Sequence, residues 1–280
     1  MGKDENIDKV VVEEFGMEWS KFNQDGVSEG ELRDIFNDYF FIFPWEKLPR
    51  NPIGFDLGSG SGRWAQFVAP RVGELHCIEP SSSALEVSRK KLSKFHNCKF
   101  YEASVSEIPL KDNSMDFAYS LGVLHHIPDT SQGIKSCVSK FKSGAPMLVY
   151  LYYDFDNDRP LWFKWLYKFS NIIRVSIISR LPYKLKYLSS QVIAAFVYYP
   201  LARTARIAKR MGIDTTNFPL VSYSDWSFYT MRTDALDRFG TRLEHRFTQV
   251  EIKEMMLSAG LKNIVFSDKK PYWCAVGVKS

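Results

Sequence analysis

The chain has 280 residues and a formal net charge of +5, and its 45% hydrophobic and 15% aromatic content excludes a disordered or low-complexity protein. The four cysteines lack C-x-x-C spacing, so neither a disulfide framework nor a metal site is expected. Because the first residues lack the apolar segment of a secretory signal and no run of roughly 18 apolar residues occurs, we expect a cytoplasmic protein.

Residues 1–48 form the first predicted element, which has a helical pattern. Ser28 stands three residues before Glu31, a spacing typical of a capping box at the start of a helix. An aromatic cluster follows, made of Phe36, Tyr39, Phe40, Phe41, Phe43 and Trp45. The segment is therefore predicted to be a helical cover on the rest of the chain.

Residues 53–62, with the sequence IGFDLGSGSG, are predicted to be a buried strand that ends in a glycine-rich loop. The alternating glycines are Gly58, Gly60 and Gly62. The dinucleotide pattern G-x-G-x-x-G requires a glycine where Arg63 stands, so a dinucleotide is not indicated. Glycine still allows close approach of a ligand to the backbone, and Asp56 attracts cationic groups. S-adenosylmethionine, which carries an ammonium and a sulfonium group, matches this loop.

An acidic residue follows the next predicted strand, residues 74–78, at about the sequence separation from the loop that a ribose-binding acid has. Glu79 comes 17 residues after Gly62. In doubly wound folds, an acid about 20 residues beyond the glycine loop binds a ribose diol. Further strands are predicted at residues 97–101 and 114–120, and the segment Leu-His-His-Ile follows at residues 124–127.

This order of motifs resembles the class I S-adenosylmethionine-dependent methyltransferases, specifically the methyltransferase type 11-like subgroup with an LHHI-type segment after strand four. The resemblance covers residues 55–152. It implies an α/β, Rossmann-like fold with a seven-stranded, mainly parallel sheet, a helical N-terminal cover and a helical insertion. It also implies S-adenosyl-L-methionine as cofactor. In this family such a cover lies over the active site, although a helix packed on the sheet edge has the same pattern.

The resemblance also implies a set of cofactor-binding residues and no metal. These residues are Asp56, Gly58, Ser59, Gly60, Gly62, Glu79, Pro80, Ser104, Val105 and Ser120. One position departs from the family, because Ser104 stands where an Asp often reaches the adenine amino group. Ser104 and the backbone of Val105 are the candidates for this contact.

Methyl transfer to a hydroxyl or a carbon acid requires a base, and histidine titrates near neutrality. His125 and His126 follow strand four, at the edge of the sheet where Rossmann-like folds bind ligands. The alternative is structural, since the pair often fixes the loop and caps the next helix in this subgroup. His245 is the third candidate, in a region that resembles the tail of related sugar and lipid-linked methyltransferases, and it could equally be a solvated residue.

The chain divides into four predicted segments. They are the helical N-terminal cover (1–48), the cofactor-binding Rossmann-like core (49–153), a helical basic and aromatic insertion or lid (154–223), and the C-terminal completion of the core (224–280). Strand five is predicted at residues 147–152. Thr248 is predicted to cap a helix over residues 249–259 that ends at Gly260, and the last strands at residues 262–266 and 273–278.

The insertion carries an unusual charge. Residues 159–210 contain eleven Lys or Arg and no Asp or Glu, so the +5 of the whole chain leaves −6 elsewhere. The interleaved aromatic residues are Trp162, Phe163, Trp165, Tyr167, Phe169, Tyr183, Tyr187, Phe196, Tyr198 and Tyr199. Three interpretations remain open: a lid whose apolar faces pack on the core, an element in a membrane interface, and a nucleic-acid surface. Long apolar runs disfavour nucleic acid.

The predicted function is methyl transfer from S-adenosylmethionine to oxygen of a small-molecule or lipid- or glycan-linked acceptor. The alternatives are C-methylation in quinone-type biosynthesis and a non-catalytic cofactor-binding interaction protein. A location peripheral to the membrane depends on the insertion. The sequence leaves the acceptor, the general base and the oligomeric state open.

Overall fold

The computed structural model describes residues 6–154 and 160–280. The chain forms two compact units. The first contains Met1–Gln24, Leu32–Asp154 and Leu243–Ser280, and the second contains Asp25–Glu31 and Phe155–Arg242. Arg159, counted among the cations of the insertion, lies outside the described residues.

The first unit is built on a seven-stranded sheet. Its strands are β1 (Ile53–Leu57), β2 (Glu74–Glu79), β3 (Cys98–Glu102), β4 (Phe117–Leu121), β5 (Pro146–Tyr150), β6 (Leu261–Phe266) and β7 (Cys274–Lys279). They lie in the order β3-β2-β1-β4-β5-β7-β6, in which β7 is antiparallel to both of its neighbours. The predicted Rossmann-like fold is therefore confirmed.

Ten α-helices accompany the sheet in the described residues. They are α1 (Lys9–Lys21), α2 (Glu29–Tyr39), α3 (Ala65–Val68), α4 (Ser82–Lys91), α5 (Thr130–Ser139), α6 (Leu161–Ser176), α7 (Tyr183–Ile193), α8 (Tyr199–Arg210), α9 (Phe228–Gly240) and α10 (Gln249–Ser258). Among them, none is long and apolar enough to cross a membrane.

The central strands are apolar because helices cover both faces of a parallel sheet. All five residues of β4 are buried, as are four of the five in β1. The predicted fourth strand began at residue 114, but β4 begins at Phe117 because the N–H groups of Ser114 and Met115 both donate to the carbonyl of Lys140 in a turn. The strand order reverses between β1 and β4, and ligands bind beyond the carboxyl ends of strands at such a point.

Two predicted helix starts have different outcomes. Thr248 caps α10, and its hydroxyl and the side chain of Glu251 form a complete capping box. At α2, the Ser28 hydroxyl accepts from the N–H of Glu31 at 3.2 Å, but the Glu31 carboxylate accepts hydrogen bonds from Ser227 and Thr230. The prediction of a capping box at Ser28 was therefore wrong for the carboxylate, which a tertiary contact takes.

The second unit is helical and has its own small core. The buried members of this core are Ala194, Tyr198, Ala202, Met231 and Ala235. The predicted insertion ended at residue 223, whereas the second unit continues through α9 to Arg242. The reason is that α9 packs on α7, where an Arg232 Nη2 donates to the Tyr187 hydroxyl at 3.1 Å.

Candidate active site

The glycine-rich loop begins at the carboxyl end of β1, at the reversal point of the sheet. Gly58, Gly60 and Gly62 have φ angles of +75°, +50° and +76°, which only glycine adopts without strain. The N–H groups of Gly58 and Ser59 donate to the Ile78 carbonyl at 2.8 and 3.1 Å, which ties the loop to β2. A Cβ on Gly58 would lie 2.4 Å from the Val123 side chain. Glycine at these positions therefore brings backbone without a side chain to the reversal point of the sheet.

Several buried oxygens around this loop have no hydrogen-bond partner among the described residues. They are Asp56 Oδ2, Ser59 Oγ and Ser61 Oγ. Unsatisfied buried polar atoms are costly and rare in native proteins. Three of them at one loop indicate that a polar ligand completes the site. This observation fits S-adenosylmethionine, whose amino-acid part offers both an ammonium group and hydrogen-bonding atoms.

Glu79 ends β2 beside the same loop and holds it. Its Oε2 accepts from the N–H of Gly60 at 2.9 Å, and its Oε1 accepts from the N–H of Ser81 at 3.0 Å. Each carboxylate oxygen keeps a second lone pair, so these contacts leave acceptor capacity for the hydroxyl groups of a ribose. The glycine loop and the acid thus act as one structural element.

Burial makes both acids reluctant to ionise. It raises the pKa of Asp56 to about 8, against the opposing effect of the Tyr119 hydroxyl and with a further contribution from Glu79. Burial also raises the pKa of Glu79 to about 7, although the N–H groups of Ser81 and Gly60 oppose it. A positively charged ligand would stabilise the ionised forms. The electrostatics of this crevice therefore fit a cation.

The remaining predicted cofactor residues lie around the same edge of the sheet. The Ser120 hydroxyl donates to the Leu57 carbonyl at 3.0 Å and so joins β4 to β1. Ser104 begins a short 3-10 turn and accepts from the N–H of Ser106 at 3.3 Å. Val105 is buried in the main core, and Pro80 follows β2 half-buried. Their contacts with a cofactor stay predictions.

Helix α1 lies against the glycine loop, which sequence patterns did not specify. A Cβ on Gly60 would lie 3.0 Å from Nε1 of Trp19. The guanidinium of Arg63 is 5.2 Å from the Trp19 ring centroid and 4.3 Å from that of Trp64, so it stacks with both rings. Within the first unit, the N-terminal cover therefore contacts the predicted cofactor loop directly.

The three candidate bases come together at the carboxyl end of β4. The His125 and His126 ring centroids are 4.1 Å apart, and the N–H of His245 donates to the His125 carbonyl at 2.9 Å. Neither histidine of the pair caps the next helix, because Asp129 caps α5 by accepting from the N–H of Gln132 at 2.9 Å. The structure thus places residues that are 120 positions apart in one cluster.

His125 is the most enclosed of the three. Its side chain is fully buried, stacked on the Tyr152 ring at 3.8 Å, and neither ring nitrogen has a hydrogen-bond partner among the described residues. Burial is the largest cause that lowers its pKa well below the usual value. Electrostatic repulsion from His126, Arg246 and His245 lowers the pKa further. His125 is therefore a neutral imidazole at physiological pH. Its ring packs against Tyr152 within the cluster.

A backbone carbonyl holds one ring nitrogen of His126. Its Nδ1 lies 2.7 Å from the Leu243 carbonyl oxygen, and a carbonyl can only accept. We therefore assign the proton to Nδ1, which leaves a lone pair on Nε2. The Phe15 ring of α1 packs on the imidazole at 5.0 Å between centroids. Of the three predicted bases, His126 is the one held in this way.

Aromatic rings surround the cluster and make its walls apolar. Tyr39 packs edge-on against Tyr150 at 5.0 Å, and Tyr150 lies 5.6 Å from Tyr152. The guanidinium of Arg246 lies 5.1 Å from the Tyr152 centroid, and it is held by the buried Glu244 carboxylate at 2.9 Å. The histidines therefore lie among rings from α1, α2 and the end of β5.

This fold and site are those of a known class. Residues 55–149 match the family described as a methyltransferase domain. Residues 55–149 therefore form a methyltransferase domain, as predicted, and the match supports the predicted S-adenosyl-L-methionine cofactor. The matched residues run from β1 to β5, the five parallel strands of the sheet, and include the glycine loop, Glu79 and the histidine pair.

Curated relatives match part of the chain. Phosphoethanolamine N-methyltransferase 2 of Caenorhabditis elegans is 30% identical over 100 residues, or 35% of this chain and 23% of the relative. The ubiquinone/menaquinone biosynthesis C-methyltransferase UbiE of Rickettsia felis is 29% identical over 123 residues, or 41% of this chain and 48% of the relative. The chain thus spans less than half the length of these relatives.

Solved structures share the fold over most of the chain. Phosphoethanolamine N-methyltransferase 2 of Haemonchus contortus, in complex with phosphomonomethylethanolamine and S-adenosylhomocysteine, matches with a TM-score of 0.50. The alignment has 14% identity and covers 93% of this chain and 44% of that chain. At this identity the similarity concerns the fold alone.

Proposed function

We propose that the protein transfers a methyl group from S-adenosyl-L-methionine to a hydroxyl oxygen of a largely apolar acceptor, either a small molecule or a group linked to a lipid or glycan. The observation that carries the proposal is the oriented imidazole of His126, whose Nδ1 bonds to the Leu243 carbonyl at 2.7 Å. A hydroxyl must lose its proton as it gains a methyl group, and Nε2 of His126 is the atom that would take it.

Two groups of residues have separate roles, one in binding the cofactor and one in binding the acceptor. When bound, the cofactor supplies an electrophilic methyl group on its sulfonium. In the first group, Asp56 and the glycine loop hold the charged part of the cofactor, and Glu79 holds its ribose. In the second group, the rings of Phe15, Tyr150 and Tyr152 exclude water and position an apolar acceptor beside His126.

A second candidate function is C-methylation of a hydroxylated ring. It is favoured by the relative named as a C-methyltransferase of ubiquinone and menaquinone biosynthesis. Removal of a phenolic proton makes the ring carbons nucleophilic as well as the oxygen. The same His126 would therefore serve both reactions, and the acceptor's geometry would decide between them.

The test is the identity of the bond that carries the new methyl group. The protein is incubated with 13C-methyl S-adenosylmethionine and a panel of a catechol, a prenylated hydroquinone and phosphoethanolamine, and the products are examined by NMR. We expect a methoxy signal on a phenolic acceptor. A ring methyl would replace the proposal with the second candidate. Transfer only to the amine, or no transfer to any acceptor, would contradict both.

A further inference from the structure

The second unit turns the apolar side of α6 toward solvent. The exposed large apolar residues of this helix are Leu161, Trp162, Trp165, Leu166, Phe169, Ile172 and Val175. Leu161 is 75% exposed and Trp165 is 71% exposed. Residues three and four positions apart adjoin on a helix surface, so these seven side chains form one continuous stripe.

The buried side of α6 is polar. Arg174 is 4% exposed, and its Nε donates to Asn171 Oδ1 at 2.9 Å while an Nη1 donates to the Thr241 carbonyl at 3.0 Å. The guanidinium of Arg238 lies 4.7 Å from the centroid of the Tyr167 ring. The bond to Thr241 and the contact with Arg238 thus join this side of α6 to the region around α9. Its polarity is the reverse of an ordinary surface helix, which buries its apolar side.

Helix α7 repeats this reversed arrangement. Leu185, Leu188 and Val192 are exposed along one row, which Phe196 continues in the next turn at 77% exposure. Lys186 and Ser190, on the other side of the helix, are buried. We call the exposed apolar residues of α6 and α7, with Phe196, the apolar face. Exposed apolar stripes of this extent mark an interaction surface.

The segment that carries the apolar face is positively charged. Residues 160–210 contain ten Lys or Arg and no Asp or Glu. Lys168, Arg180 and Lys184, which lie within or next to α6 and α7, are exposed. Helix α8 differs, because Arg206 and Lys209 pair with Asp225 at 3.6 and 3.1 Å. Within the part of the chain that the structure describes, Lys168, Arg180 and Lys184 thus place positive charge where apolar side chains are exposed.

We propose that the apolar face docks on an anionic lipid surface. Trp, Phe and Leu enter the boundary between headgroups and acyl chains, while Lys and Arg attract anionic headgroups. Indole rings favour this boundary because they are apolar with one hydrogen-bond donor. A second copy of the chain would bring like charges together. The proposal does not depend on which acceptor is methylated, so it is tested without the reaction.

The first experiment measures binding of the full chain to vesicles by sedimentation. The vesicles contain phosphatidylcholine alone or with phosphatidylglycerol. We expect binding to the anionic vesicles that weakens as salt rises, because the attraction is screened. The variant Trp162→Ser with Trp165→Ser should reduce the salt-resistant part of the binding about tenfold or more, since it removes two rings that the lipid would bury. The matched control is Val250→Ser with Leu257→Ser, two exposed apolar residues of α10.

The second experiment separates charge from apolar burial. Lys168→Glu with Lys184→Glu should weaken binding at low salt about tenfold or more, since each cation near an anionic surface contributes a severalfold effect. Lys253→Glu with Lys262→Glu changes the same charge on the first unit and should bind like wild type. In addition, brominated phospholipids should quench tryptophan fluorescence in wild type and lose most of this effect in Trp162→Phe with Trp165→Phe.

Several outcomes would overturn the proposal. Background binding to both kinds of vesicle would do so, as would equal binding by wild type and the folded α6 variants. A dimer in sedimentation velocity that dissociates in Trp162→Ser with Trp165→Ser would assign the face to a second copy. Retention of RNA in a gel shift, without vesicle binding, would assign it to nucleic acid.

Discussion

The two buried carboxyl groups beside the glycine loop would favour a ligand that carries a positive charge. Asp56 is the last but one residue of β1 and Glu79 ends the neighbouring β2, and burial raises their pKa values to about 8 and about 7. Without a cation, ionising them costs free energy, because each charge is buried and near the other. A ligand with a permanent positive charge offsets this cost. Asp56 and Glu79 therefore link cofactor binding to proton release.

The first prediction concerns the stability of the cofactor-free protein. The folded-state pKa of Asp56 is raised from 3.8 to about 8, so the folded protein holds a proton that the unfolded chain releases. Stability must therefore fall as pH rises through this window. We expect Asp56→Asn to lose less Tm than wild type between about pH 5.5 and pH 8. Differential scanning fluorimetry measures this, and parallel curves would show that Asp56 does not titrate as described.

The second prediction concerns cofactor affinity. S-adenosylmethionine should bind more tightly as pH rises from about 6 to about 7.5, a range below the usual pKa of its own α-amino group. The ionised carboxylates bind the cation, so binding should release protons. Calorimetry in two buffers of different ionisation enthalpy measures this release. Asp56→Asn should bind more weakly and release fewer protons, and equal release by the two proteins would contradict the account.

The third prediction concerns His126. Because its Nε2 is the atom assigned to take the acceptor proton, His126→Gln should lower kcat by about 10²-fold or more. Affinity for S-adenosylhomocysteine should not change, since the histidine lies outside the glycine loop. His96→Gln, which replaces an exposed histidine, is the matched control. An unchanged kcat in His126→Gln would remove His126 as the base.

At the scale of elements, α1 lies against the predicted cofactor loop. Trp19 lies beside Gly60 and stacks with Arg63, so one helix side chain covers the loop backbone. The fourth prediction follows: Trp19→Ala should weaken S-adenosylhomocysteine binding by about tenfold, mainly through faster release, because water gains access to the loop. Met17→Ala, an exposed residue on the same helix, should bind normally. Stopped-flow fluorescence measures both rates, and equal release rates would separate α1 from the site.

Elements with a local signal could be predicted from the sequence. The alternating glycines, Asp56 and Glu79 identify the cofactor loop because turn geometry and charge are encoded within a few residues. The capping box of Thr248 and Glu251 is local in the same sense. At Glu31 the same kind of signal misled, since the carboxylate accepts from Ser227 and Thr230 instead.

Contacts between distant residues could not be predicted in this way. The sequence identified His126 as a candidate but gave no sign of the Leu243 carbonyl, 117 residues away, that orients it. Trp19 was likewise invisible as a neighbour of Gly60. For α6, periodicity predicts an apolar stripe but not its direction. The buried Arg174, whose partner is the Thr241 carbonyl, decides that the stripe faces outward.

At the scale of the whole molecule, the two units differ in their similarity to known proteins. The family match, residues 55–149, lies within the first unit. The second unit lies wholly outside the matched residues, so a role for it is inferred from its own surface. The acceptor is therefore to be sought by experiment with the full chain, in which the catalytic unit and the apolar face are both present.

The most direct measurement is the calorimetric affinity for S-adenosylhomocysteine of wild type, Gly60→Ala and Gly144→Ala. Both glycines have positive φ, +50° and +84°, so each variant carries a similar backbone strain. Only Gly60 belongs to the cofactor loop. We predict that wild type and Gly144→Ala bind alike, whereas Gly60→Ala loses about tenfold or more in affinity. Absence of binding in wild type, or equal binding by Gly60→Ala, would contradict the assignment of the cofactor site.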